Sequence, residues 1–222
     1  MNIIGIIPAG GSSSRYKKGN KLLELLNGKP VIVNTVEVLL SSEKINQIII
    51  PASEELKPIL EEMLKAYSNI NIVLGGKTRQ ESVYNALKAC KNCDYVAIHD
   101  AARPLITKKI IEKCLASVID KKAVIAAVKA IDTIKIVDKD NKIIETPNRE
   151  TLWNVQTPQV FNFELIFSVH QQLEGQNYSD DAGMLEKIGT DVFVVESEYT
   201  NFKITTEKDL LLAQLITTKE QY

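Results

Sequence analysis

Three short stretches of the chain gather glycine, small residues and charge in the way phosphate chemistry requires. The first is Pro8-Ala9-Gly10-Gly11-Ser12-Ser13-Ser14-Arg15, directly after an apolar run. A Gly/Ser loop at such a place lets backbone N–H groups approach phosphate oxygens closely. Arg15 and Lys21 add positive charge to the same region. No Gly-Lys-Ser/Thr follows, so the loop is not a P-loop, and it is not the G-x-G-x-x-G of dinucleotide sites. Taken alone it also fits an ordinary strand–helix turn. The second stretch is Gly75-Gly76-Lys77-Thr78-Arg79-Gln80-Glu81-Ser82-Val83. Ser82 falls in the first turns of the helix that follows, with a hydroxyl able to donate and accept. That suits the edge of a base, and equally a plain helix-start residue. The third is His99-Asp100-Ala101-Ala102-Arg103-Pro104. An acid and an arginine three positions apart, with alanines between, leave room for a ligand; a structural Asp100–Arg103 pair is the simpler reading.

These stretches need a scaffold that brings them together. Apolar runs at 2–8, 45–50, 70–74, 95–99, 123–128 and 192–195 read as strands buried on both faces. Helical spacing covers 30–40, 54–67, 80–90, 108–119, 163–172 and 181–188, and Thr206 is the expected N-cap of a last helix. Strands alternating with such helices predict an α/β fold, a Rossmann-like, mostly parallel sheet covered by helices on both faces. In such sheets ligands sit beyond the carboxyl ends of the strands, where all three stretches fall. Residues 133–137 and 142–145, joined by Asp138-Lys139-Asp140-Asn141, predict a protruding β-hairpin arm. An isolated hairpin is marginal in water, so a second subunit is its expected partner. We expect one domain over 1–222, with the arm at about 133–150.

Lys plus Arg number 27 and Asp plus Glu 28, so no polybasic nucleic-acid binder is expected and any phosphate site must be a local cluster. Cys90 and Cys93 have a spacing that invites a metal or redox reading. A zinc site needs about four ligands, and His99 and His170 form no pair motif. A helix end and turn is the preferred reading, and no protein metal site is expected. The thiols suit a reducing cytosol, and no segment reaches membrane-span length. The expectation is a cytoplasmic protein without membrane or nucleic-acid partners.

The ordered motifs P-A-G-G-x-x-x-R from Pro8, Lys21, G-G-x-x-R-x-x-S-V from Gly75, H-D-A-A-R-P from His99, D-T-I-K from Asp132, L-W-x-x-Q-T-P-Q-x-F from Leu152, S-D-D-A from Ser179 and N-F-K-I-T from Asn201 resemble the 2-C-methyl-D-erythritol 4-phosphate cytidylyltransferase family. The resemblance runs from the first strand to the last helix. D-Ribitol-5-phosphate cytidylyltransferases share much of it; residues 151–161 and Ser179-Asp180-Asp181-Ala182 tilt the reading to the methylerythritol enzymes. It implies transfer of CMP from CTP to 2-C-methyl-D-erythritol 4-phosphate with release of pyrophosphate. It implies that Ala9, Gly10, Gly11 and Arg15 hold the triphosphate with Lys21 beside it, and that Gly76 and Ser82 read the cytosine with Lys77 next to them. Asp100, Ala101 and Arg103 would lie at the ribose and polyol side, and Thr133, Arg149, Thr157 and Lys203 would bind the polyol phosphate. Arg15, Lys21 and Lys203 would be the catalytic cations. The family's arm swaps across a homodimer, which would put Arg149 at the partner's site.

This chain departs from the family at Ser13 and Ser14, where another Gly and often a basic residue stand, and at Gly19-Asn20-Lys21-Leu22-Leu23, where the family has Pro-Lys-Gln. Lys17 and Lys18 are therefore rivals of Lys21. A phosphate monoester, with its second pKa near 6, attacks as a dianion and needs no general base. That fits a sequence without an obvious nucleophile–His pair. Mg2+ would be carried mainly by the CTP phosphates, with Asp100 the one carboxylate nominated near it. A sugar-phosphate nucleotidyltransferase using UTP or GTP and a non-catalytic nucleotide-binding module are the other readings; the missing G-x-G-x-x-G excludes a dinucleotide oxidoreductase.

Overall fold

In the computed structural model the described residues are 1–10, 16 and 19–219. The elements run β1 (Ile3–Ile6), β2 (Leu25–Leu26), β3 (Lys29–Pro30), α1 (Val31–Leu40), β4 (Ile45–Ala52), α2 (Lys57–Met63), β5 (Ile70–Leu74), α3 (Arg79–Ala89), β6 (Tyr95–Ile98), α4 (Lys108–Lys121), β7 (Ala123–Lys129), β8 (Ile136–Val137), β9 (Ile143–Glu145), β10 (Trp153–Asn162), α5 (Phe163–Gln172), α6 (Asp181–Lys187), β11 (Phe193–Glu196) and α7 (Glu207–Lys219). Seven strands form one sheet in the order β11-β7-β10-β6-β1-β4-β5. All neighbours are parallel except β10, which runs antiparallel between β6 and β7.

Period-two alternation splits the strand residues between two cores. Ile3, Ile48, Ala97 and Val124 pack with α1, α4 and α7, while Ile4, Ile49, Val96 and Ile125 pack with α3, α5 and α6. Helices therefore cover both faces. Helix α1 is rich in β-branched residues, which are modest helix formers. Burial of Val31, Ile32, Val33, Val36 and Leu39 holds it instead.

The outer strands correct one expectation. Residues of β5 and β11 are mostly half-buried or exposed, because each strand is a sheet edge with one neighbour. A further correction is β10, which the apolar-run reading did not find. Its ladder to β7 breaks between Val155 and Gln159, across Pro158, which has no N–H to donate. Strands β8 and β9 pair as a short antiparallel ribbon turned at Asn141, with φ +62°. Ile136, Val137, Ile143 and Ile144 are exposed on it. Among the described residues no helix is long and apolar enough to cross a membrane.

The strand order reverses between the parallel neighbours β1 and β6: β1 leads outward to β4 and β5, and β6 lies on its other side. A crevice opens at the carboxyl ends of strands at such a switch point. Ala9–Gly10, Gly75–Gly76 and His99–Asp100 all meet there.

Candidate active site

The floor of the crevice is backbone packed on backbone. Ala9 N–H donates to Pro51 O (2.9 Å) and Gly75 N–H to Ala52 O (2.8 Å), setting the two glycine loops side by side. A Cβ on Gly10 would lie 3.2 Å from Ser82 Oγ, and one on Gly76 only 2.2 Å from Glu81 Cβ. Glycine there is a requirement of close approach. The start of α3 explains it. Thr78 caps the helix, its Oγ1 accepting from Glu81 N–H (3.1 Å), while Glu81 Oε2 reaches back to accept from Lys77 N–H (2.7 Å). Ser82 Oγ donates to Thr78 O (2.8 Å) and accepts from Gly76 N–H (3.0 Å). The hydroxyl expected to read a base thus also pins the loop that would hold it.

Asp100, just past β6, is the electrostatic centre. Lys203 Nζ lies 2.9 Å and Arg103 Nε 3.4 Å from its Oδ2, and Arg79 Nε lies 3.6 Å from its Oδ1. Burial alone would raise the carboxyl pKa, but the three cations outweigh it and hold Asp100 far below the usual carboxylate range. Arg79 also pairs with Asp181 (Nη1 to Oδ2, 2.7 Å). Burial of Arg79 works against its charge, yet Asp181 and Asp100 keep it above its ordinary value. Behind Asp100, Thr157 Oγ1 accepts from Asp100 N–H (3.0 Å) and lies 3.0 Å from His99 Nδ1. The hydroxyl proton then goes to Nδ1, so His99 Nε2–H donates to Arg103 O (2.9 Å). Full burial pushes His99 down to about 4 and keeps it neutral.

Lys203 is delivered by Asn201. The buried Asn201 amide donates to Gln156 Oε1 and Thr157 O, both at 2.9 Å, and Arg103 Nη1 donates to Asn201 O (2.7 Å). Ile204 N–H closes the segment onto Ala102 O (2.8 Å).

Three cavities meet at this cluster, and Asp100 and Lys203 line all of them. One of about 490 Å³ includes Arg79, Arg103, Thr157 and Gln159. One of about 360 Å³ includes Gly10, Lys77, Arg79 and Ser82. The third, about 90 Å³, includes Ala9, Lys21 and Ala101. The structure thus gathers Ala9, Gly10, Lys21, Lys77, Ser82, Asp100, Ala101, Arg103, Thr157 and Lys203 around one crevice, with Gly76 hydrogen-bonded to its wall. Gly11, Ser13, Ser14, Arg15, Lys17 and Lys18 lie outside the described residues. Among the described residues that line these three cavities, Thr133 and Arg149 do not figure. Arg149 Nη1 instead donates to Ile131 O (2.8 Å), in the segment between β7 and β8.

The sequence assigns no role to Arg79, Asp181 or Asn201, although each stands inside a quoted motif, and it considers His170 only as a zinc ligand and sets it aside. The motif positions are the available signal for the first three; nothing in the sequence links His170 to the crevice. Among the described residues no three His, Cys, Asp or Glu side chains could together hold a metal ion. The 90–93 segment is a helix end and turn, with Cys90 the C-cap of α3. Cys90 Sγ donates to Ala86 O (3.4 Å) and Cys93 Sγ to Tyr95 O (3.0 Å).

Comparison with known proteins converges on one family. The model of the 2-C-methyl-D-erythritol 4-phosphate cytidylyltransferase family matches residues 3–219. A protein of that name from Caldanaerobacter subterraneus subsp. tengcongensis is 43% identical over 99% of this chain and 100% of its own. One from Clostridium botulinum is 40% identical over 98% of both. The crystal structure of 4-diphosphocytidyl-2C-methyl-D-erythritol synthase from Anaerococcus prevotii superposes with a TM-score of 0.89 at 32% identity, covering 98% of each chain. The Francisella tularensis 2-C-methyl-D-erythritol 4-phosphate cytidylyltransferase gives 0.83 at 31% identity, over 97% of this chain and 99% of that one.

Proposed function

The chain belongs to the 2-C-methyl-D-erythritol 4-phosphate cytidylyltransferase family, and from that membership we propose how its residues divide the work. The enzyme transfers CMP from CTP to 2-C-methyl-D-erythritol 4-phosphate, giving 4-diphosphocytidyl-2-C-methyl-D-erythritol and pyrophosphate. The relatives reported above carry the methylerythritol name, which favours that acceptor over D-ribitol 5-phosphate.

The observation that carries the site assignment is the convergence of Arg79, Arg103 and Lys203 on Asp100 where the cavities meet. The 360 Å³ cavity, floored by Gly10 and walled by Lys77 and Ser82, takes the nucleotide. The 490 Å³ cavity takes the polyol phosphate, with Arg103 and Thr157 in its wall. Lys21 and Lys203 face the junction, and Arg15 completes the set of cations on the triphosphate. One phosphate-monoester oxygen attacks the α-phosphorus, the bond from α-phosphorus to the bridging oxygen breaks, and pyrophosphate leaves. No proton moves in that step. The protein's part is to align two polyanions and hold fixed cations where charge builds up. Asp100 keeps Arg79, Arg103 and Lys203 in place before substrate arrives and gives them an ionised partner at any working pH. A magnesium ion would be held mainly by the CTP phosphates and would screen their charge; Asp100 would be the nearest carboxylate to it, and would have to release one of its cations to become a ligand. The arm pairs two chains into a dimer, with Arg149 serving the partner's acceptor site. We place the enzyme in the cytoplasm, which its three free thiols suit.

The test is pyrophosphate release with CTP and Mg2+, comparing 2-C-methyl-D-erythritol 4-phosphate with D-ribitol 5-phosphate. Fast release with the first alone is expected. Fast release with the second alone would move the protein to the ribitol branch, and release with neither would put the departures at Ser13, Ser14 and Lys21 at the centre of the problem.

A further inference from the structure

A chain of contacts leads away from the crevice into the core between α3, α5 and α6. Arg79 Nη1 lies 2.7 Å from Asp181 Oδ2, and the other oxygen, Oδ1, lies 3.0 Å from His170 Nε2. His170 and Asp181 are each 1% exposed. A carboxylate only accepts, so His170 Nε2–H donates to it. The imidazole is stacked on Tyr84 (5.9 Å between centroids, 16° between planes), which fixes the ring plane. The Asp181 backbone is fixed separately, its N–H donating to Gln159 Oε1 (3.2 Å) from β10.

Arg79 is the first residue of α3 and lines both larger cavities. A long side chain at a helix start has many rotamers, and holding one of them is entropically costly. Its partner must therefore be rigid. Asp181 would be free to turn its carboxylate if nothing held Oδ1; with His170 on that oxygen, Oδ2 can only face Arg79. We propose that His170 is a positioning residue for the transfer reaction: through Asp181 it fixes the Arg79 guanidinium at the junction of the two substrate cavities. This rests on the reading of those cavities as the CTP and polyol phosphate sites. His170 reaches the reaction only through this contact, since it lines none of the three cavities at Asp100. It borders a separate cavity of about 210 Å³ beside Tyr84 and Lys88.

The shape of the two amide side chains provides the test. Gln at 170 places an N–H near the position of Nε2, whereas Asn reaches only as far as Nδ1, which makes no hydrogen bond here. kcat and KM for both substrates are measured for H170Q, H170N, R79K, K203A and the H170N/R79K double variant, with thermal midpoints alongside. H170Q is expected to stay near wild type, while H170N loses roughly tenfold to a hundredfold in kcat/KM, as small misplacements of a reacting group do. On the R79K background H170N should add nothing, because both changes remove one interaction. Wild-type kinetics in H170N, an H170Q as poor as H170N, or an H170N loss undiminished on R79K would each overturn the proposal. Should H170N not fold, His170→Leu, which keeps bulk but offers no N–H to Asp181, carries the test on both backgrounds with the same expected and overturning outcomes. If R79K and K203A are themselves wild type, the site reading has failed; if they are impaired and H170N is not, only the positioning role has.

Discussion

Under the proposed reading, Asp100 is a single carboxylate that sets a phosphate site. Three cations around one anion would repel one another without it, and with it they stand ready for a polyanion. Lys203 is the most exposed of the three, its side chain 39% accessible, so it is the one freest to turn to substrate. Lys203→Ala should lower kcat by about a hundredfold, the usual effect of losing one preorganised charge. Steady-state pyrophosphate release measures it. His99 has a different consequence. Its pKa is about 4 in the fold, from burial, against an ordinary 6.5. A depressed histidine leaves the unfolded chain with more bound protons between those values, so stability falls as pH drops from about 6.5 to about 4. The full effect of such a shift is roughly 3 kcal/mol. Asp100 and Asp181, both held low, add their own loss as pH falls below the unfolded carboxylate range. Thermal midpoints taken across this range should slope in the wild type and flatten between 6.5 and 4 in His99→Gln. An equal slope in both would remove His99 from the account.

At the scale of elements, the site depends on two turns that glycine and asparagine make possible. Gly76→Ala would drive a Cβ to 2.2 Å from Glu81 Cβ, so the β5–α3 turn must open. Overpacking of that kind costs about 1–3 kcal/mol, and a raised KM for CTP should accompany the lower thermal midpoint. Asn201→Ala would leave Gln156 Oε1 and Thr157 O without their buried donor, at about 1–3 kcal/mol. Because Asn201 delivers Lys203, turnover should fall in the same variant, and a stability loss with unchanged kcat would separate the two roles. The regular elements were legible in the sequence: strong periodicity placed α5 at its observed bounds, and the central strands and remaining helices within a few residues. The failures have local causes. β10 carries Pro158 and has polar Asn154, Gln156, Thr157 and Gln159 among its apolar residues, so it does not read as a buried strand, although it lies inside the sheet. The edge strands β5 and β11 looked like core strands because an apolar run does not reveal how many neighbours it has. The glycine loops and the His99–Arg103 stretch were visible because their chemistry is contiguous. The Asn201 anchor and the Arg79–Asp181–His170 chain were not, since each joins residues far apart in sequence that only tertiary packing brings together.

On the scale of the whole molecule, the ribbon β8–β9 is the feature a single chain does not explain. It exposes Ile136, Val137, Ile143 and Ile144, and a two-stranded ribbon is marginal in water without a surface to pack on. A second copy of the chain supplies that surface under the dimer reading. Replacing Ile143 and Ile144 by Asp should then shift the sedimentation coefficient toward that of a monomer. A dimer whose arm serves the opposite site makes a stronger prediction. If Arg149 of one chain completes the acceptor site of the other, a Lys203→Ala chain and an Arg149→Ala chain are each inactive alone. In a mixed dimer one site collects both defects and its twin has neither. Random re-pairing of equal amounts should therefore restore about a quarter of wild-type activity, half of the dimers being mixed with one intact site each. If Arg149 acts within its own chain, every site in the mixture keeps one defect and no activity returns. The two geometries are thus separated by one mixing experiment, and the same result decides whether the catalytic unit is one chain or two.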